Sequence, residues 1–126
     1  MPPPSKREVL YDSTATTATH SISLDMNCAY RGFIILMDAT AETDTASVTP
    51  SLQVQDGNGD WNDFWTAAAA ITAVGNYSYL IYPGATATGN FTEVDGIPVP
   101  MRGSRLTFTH TDADPLTYSI VAYFLP

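Results

Sequence analysis

Gly32-Phe33-Ile34-Ile35-Leu36-Met37-Asp38-Ala39 carries the strongest core signal in this chain. Apolar residues follow one another without alternation from Phe33 to Met37, the pattern of a strand covered on both faces. A strand of that kind belongs at the centre of a sandwich. On its N-terminal side, His20-Ser21-Ile22-Ser23-Leu24 alternates polar and apolar residues, which fits a half-buried strand. A first strand is expected over residues 8–11, followed by a Thr- and Ala-rich stretch. Residues 1–8 read as a flexible arm, because Pro2, Pro3 and Pro4 lack backbone N–H donors and favour an extended polyproline conformation.

On the C-terminal side a turn through residues 42–45 leads to a strand over 48–55. There Val48, Leu52 and Val54 point one way and Gln53 and Gln55 the other, while Pro50 signals an edge or a bulge. Asp56-Gly57-Asn58-Gly59-Asp60 is a hairpin loop whose glycines can take positive φ. The returning strand, 61–66, places Trp61 and Trp65 on one face. Ala67-Ala68-Ala69-Ala70 has high helix propensity but is too short to hold a helix alone, so it reads as an irregular connection. A strand over 77–82 ends at Pro83-Gly84, and a polar loop covers 85–99. Residues 105–110 and 117–124 form a closing pair of strands joined by Thr111-Asp112-Ala113-Asp114-Pro115. Short strands separated by turn signals at this spacing predict an all-β, antiparallel β-sandwich of jelly-roll or immunoglobulin-like type. The sandwich forms one domain over 9–126, with the Pro-rich arm extending from it.

The charge balance narrows the function. Thirteen acidic residues oppose five basic ones, giving a net charge of −8, yet only 14% of the 126 residues are charged. Nucleic-acid binding needs clustered Lys and Arg, and Lys6, Arg7, Arg31, Arg102 and Arg105 form no run. No nucleic-acid partner is expected. No stretch approaches the length of a membrane span, and the start of the chain has no apolar signal-peptide core. A membrane partner is therefore not expected either, and synthesis in a cytoplasm is. Cys28 is alone, so no intrachain disulfide forms.

Candidate chemistry is sparse. Asp56, Asn58 and Asp60 imitate the opening of a calcium-binding loop, but Trp61 stands where glycine is required and Ala67 where a bidentate glutamate is required. His110, Asp112 or Asp114, and Ser104 or Ser119 allow a triad to be drawn, without a nucleophile elbow or an oxyanion-hole pattern. One cysteine and two distant histidines offer no zinc spacing, and no cofactor fingerprint is present. The reading is of a protein that is not an enzyme and holds no metal or cofactor. Its aromatic residues are then either a carbohydrate-stacking platform or, preferred here, core and oligomer contacts. The interface candidates are Pro2, Pro3, Pro4, Tyr11, Trp61, Trp65, Tyr79 and Tyr82.

From Arg31 onward the chain resembles a family of small virion structural proteins of tailed bacteriophages. The resemblance rests on Arg31-Gly32 opening the apolar strand, Ser47-Val48-Thr49-Pro50, Ala69-Ala70-Ile71-Thr72 and Tyr82-Pro83-Gly84. It continues through Val99-Pro100 leading to Arg105, His110-Thr111-Asp112-Ala113-Asp114-Pro115 and Leu116-Thr117-Tyr118-Ser119. The resemblance implies a capsid cement or decoration protein that binds where capsomers meet and stabilises the head. It implies the major capsid protein as partner, self-association with a trimer favoured, and a place on the capsid surface of the virion. A head–tail connector or tail component, or a receptor- or glycan-binding head-fibre module, are the alternatives within reach of the same residues.

Overall fold

The computed structural model describes residues 5–24, 30–100 and 102–126. Pro2, Pro3, Pro4 and Cys28 lie outside the described residues. Among those described, nine strands and no helix are found: β1 (Lys6–Thr16), β2 (His20–Ser23), β3 (Gly32–Glu42), β4 (Val48–Gln55), β5 (Trp61–Thr66), β6 (Gly75–Ile81), β7 (Glu93–Asp95), β8 (Ser104–His110) and β9 (Leu116–Leu125). They form a five-stranded sheet, β1-β9-β3-β6-β7, and a four-stranded sheet, β2-β8-β4-β5. Every pairing is antiparallel except β6 with β7.

With β7 set aside, the remaining eight strands pair from the outside inward in chain order. β1 pairs with β9, β2 with β8, β3 with β6 and β4 with β5. This is a long hairpin rolled over on itself, the connectivity of a jelly roll. It corrects one expectation from sequence. β8 and β9 are not a closing pair: they lie in opposite sheets, and the Thr111–Pro115 segment crosses between them. Each has one apolar face, so both satisfy alternation while facing each other across the core.

The two inner faces make one core. β9 alternates without a break, burying Leu116, Tyr118, Ile120, Ala122 and Phe124. Phe33, Ile35, Met37 and Ala39 of β3 and Tyr79 and Ile81 of β6 continue that layer. Leu106 and Phe108 of β8, Val48 and Leu52 of β4 and Trp65 of β5 face them from the other sheet. Trp65 meets Tyr79 edge-on, their rings 5.7 Å apart.

Three local features follow from residue type. Gly32 opens β3 because a Cβ there would run into the Ile81 carbonyl oxygen and lie 2.9 Å from Tyr82 Cα. Pro50 sits inside the four-stranded sheet, not at its edge. Its missing N–H falls where β5 gives way to the irregular 67–70 segment, whose Ala67 N–H donates to the Pro50 carbonyl at 3.0 Å. β1 begins at Lys6, with Lys6, Arg7 and Glu8 paired to Phe124, Tyr123 and Ala122, so part of the expected arm is strand.

Candidate functional site

The outer face of the four-stranded sheet is closed by its own polar side chains. Gln53 stands at its centre, flanked in register by Arg105 of β8 and Asp63 of β5. Its Oε1 accepts hydrogen bonds from Arg105 Nε and Thr107 Oγ1, both at 2.9 Å, and its Nε2 donates to Asp63 Oδ1 at 2.9 Å. The Arg105 guanidinium lies over the Trp61 ring, 4.1 Å from its centroid.

The outer face of the five-stranded sheet is different in kind. Register places Arg7, Tyr123, Ile34, Leu80 and Val94 abreast across β1, β9, β3, β6 and β7. The next row outward is Val9, Val121, Leu36 and Ser78, and the next Ser119, Asp38 and Asn76. Between these rows runs a groove of about 480 Å³. Leu36, Val121 and Ser78 line it, with Arg7 and Tyr123 toward one end and Asp38 and Asn76 toward the other. Leu36 is 38% exposed and Val9 48%. Among the described residues only the inner face of β3 is covered, so they do not supply the double coverage expected from its apolar run. An exposed apolar patch with a polar rim on a sheet face is the signature of a contact surface.

The sequence-derived candidates separate. Trp65 and Tyr79, expected at an interface, are core residues, 5% and 2% exposed. Trp61 is on the opposite face from Trp65. The cause is a bulge: Leu52 pairs with Trp65 and Gln53 with Asp63, which leaves Phe64 as an extra residue and reverses the alternation. Tyr11 is half-buried, stacked on His20 with ring centroids 4.6 Å apart and bonded through its hydroxyl to Thr16 Oγ1 at 2.7 Å. Tyr82 is half-buried and donates to the Pro126 carbonyl at 2.7 Å. The outer-face residues Arg7, Leu36 and Val121 escaped sequence reasoning, because an apolar run carries no mark of which face stays open.

The drawn constellations do not assemble. Asp56 spends its carboxylate locally, accepting from Asn58 N, Asp60 N and Asn62 Nδ2 at 2.9, 3.0 and 3.2 Å. Asn62 and those backbone donors hold its carboxyl below the usual range. Asp112 and Asp114 converge on Thr45, whose Oγ1 lies 2.6 and 2.8 Å from their Oδ2 atoms. His110 turns instead to Tyr118, its Nε2 2.8 Å from the phenol oxygen, while Ser119 lies in the outer groove. Among the described residues no group of three metal-ligating side chains gathers, and no helix is long and apolar enough to cross a membrane. Comparison with protein-family models, curated proteins and solved structures finds no match to this chain.

Proposed function

We propose that this chain is a structural protein of a tailed-phage virion, a cement or decoration protein that binds the major capsid protein where capsomers meet. It works by contact and not by reaction. The observation that carries the reading is the outer face of the five-stranded sheet, where Leu36, Val121, Val9 and Ile34 form an apolar surface beside a polar opposite face. A sandwich that leaves one sheet face apolar is built to have that face covered by a neighbouring subunit, and an assembly of repeated subunits such as a virion supplies one. The jelly roll supports the reading as an analogy, since viral capsid domains use it, and so do lectins. A glycan platform has less support: Trp65 is in the core and Trp61 is capped by Arg105.

The mechanism is stabilisation by mass action. A subunit that binds only the assembled shell adds its binding free energy to assembly, and many identical sites multiply modest contacts when subunits are linked as oligomers. The test adds purified full-length chain to particles lacking it. Saturable binding at many copies with a raised shell melting temperature is expected. Binding at a single vertex would assign the chain to the connector or tail, and no binding would remove it from the head.

A further inference from the structure

The groove on the five-stranded sheet is concave, so two such faces opposed would enclose a void that packing disfavours. It calls for a convex partner. The chain carries one: Phe64, the extra residue of the β5 bulge, is a large aromatic side chain left 41% exposed on an edge strand. Bulges re-aim side chains in this way. Beside it stands Asp63, which among the described residues receives a single side-chain hydrogen bond, from Gln53, and has capacity to accept more. Beside the groove stands Arg7. The ion pair found among the described residues is Lys6–Glu8 at 3.6 Å, so Arg7 has no carboxylate partner there.

The geometry points to a knob-in-groove contact between copies of this chain, in which Phe64 of one copy fills the groove over Leu36, Val121 and Tyr123 of the next and Asp63 pairs with Arg7. The contact rests on the reading that the chain acts in repeated copies. Charge favours this docking over others, because a chain of net charge −8 repels itself. An Asp63–Arg7 pairing sets opposite charges together where the copies meet. A groove of about 480 Å³ has room for a phenyl ring. The contact joins unlike surfaces: made head to tail, once per neighbour, it closes first on three copies, whereas two copies close only if both knobs enter both grooves at once.

The test measures the solution mass of the full-length chain by light scattering over a concentration series. Wild type is expected at three times the monomer mass. Phe64→Ser and Leu36→Ser, each checked for a native near-ultraviolet circular dichroism spectrum, are expected as monomers. Their equimolar mixture is expected to form a dimer, since one intact knob and one intact groove remain. Should Leu36→Ser fail to fold, Arg7→Glu and Asp63→Arg replace the pair. Each should weaken association about tenfold or more, and mixing the two should restore association between unlike copies in both directions, since each pairing again sets opposite charges together. A monomeric wild type, or Phe64→Ser at the wild-type mass, overturns the contact. Shell binding by a monomeric wild type would sink this contact alone, whereas an oligomer that ignores the shell would sink the virion assignment and leave the contact standing.

Discussion

Tyr118 of β9 and His20 of β2 are joined across the sandwich by a 2.6 Å hydrogen bond between the phenol oxygen and imidazole Nε2. His110 reaches the same oxygen from β8 at 2.8 Å. One hydroxyl proton cannot be given to both rings, so Tyr118 donates to one histidine and accepts from the other. The two imidazoles are 6.2 Å apart and share a pocket with Tyr11 and Phe108, and Asp112 and Asp114 beyond them are engaged by Thr45. Burial pushes both histidines below the ordinary 6.5, and for His110 the neighbouring His20 adds to this.

A pH dependence follows. The unfolded chain takes up imidazole protons more readily than the folded one, so stability is full above pH 6.5 and is lost as pH falls below it. The strengthened carboxylates Asp56 and Asp112 act in a separate window, near and below 3.8. Thermal melts taken between these limits should show the melting temperature falling with pH, and a His20→Gln, His110→Gln variant should flatten the slope. A wild-type melting temperature that stays level across the window would contradict neutral, half-buried imidazoles.

The two tryptophans should respond unequally. Trp65 fills the core against Tyr79, so Trp65→Ala is expected to cost about 3–5 kcal/mol. Trp61→Ala removes a half-buried stack with Arg105 on the outer face and should cost about 0.5–2 kcal/mol. Urea denaturation of both variants measures the difference. Similar costs would mean that the bulge at Phe64 does not separate their faces.

That bulge also shows where sequence legibility ends. The spans of β4 and β5 were readable because Gln53 and Gln55 alternate with apolar neighbours and a glycine loop divides the strands. The face of Trp61 was not, because one inserted residue reverses parity without leaving a compositional trace. Alternation told that β8 and β9 each have a buried side but not which sheet each joins, since strand partnership is a long-range property. β7 was invisible: three residues within a polar loop become a strand only because β6 supplies the hydrogen bonds. The groove was hidden for a related reason. Ile34 and Leu36 are as apolar as Phe33 and Ile35, and only the position of the second sheet decides which pair is covered.

Gly32 tests the close approach of β3 to the end of β6. A methyl group there meets the Ile81 carbonyl and the Tyr82 backbone, neither of which can swing away as a side-chain tip would. Gly32→Ala is expected to destabilise by about 1–3 kcal/mol, as overpacking does. Chemical denaturation checks it. A neutral or stabilising result would show that the strand ends are free to part.

Adjacent residues on β3 offer the sharpest contrast. Ile35 is fully buried between the sheets, and its truncation to alanine should cost about 2–5 kcal/mol. Leu36, one residue on, points into the outer groove, so Leu36→Ser should change monomer stability by no more than about 0.5 kcal/mol. The same substitution should abolish contact with whatever covers that face. Stability measured by denaturation at low protein concentration, beside mass measured at high concentration, separates the two effects. If Leu36→Ser unfolds the isolated chain as readily as Ile35→Ala, the outer face is part of the core and not a surface held for a partner.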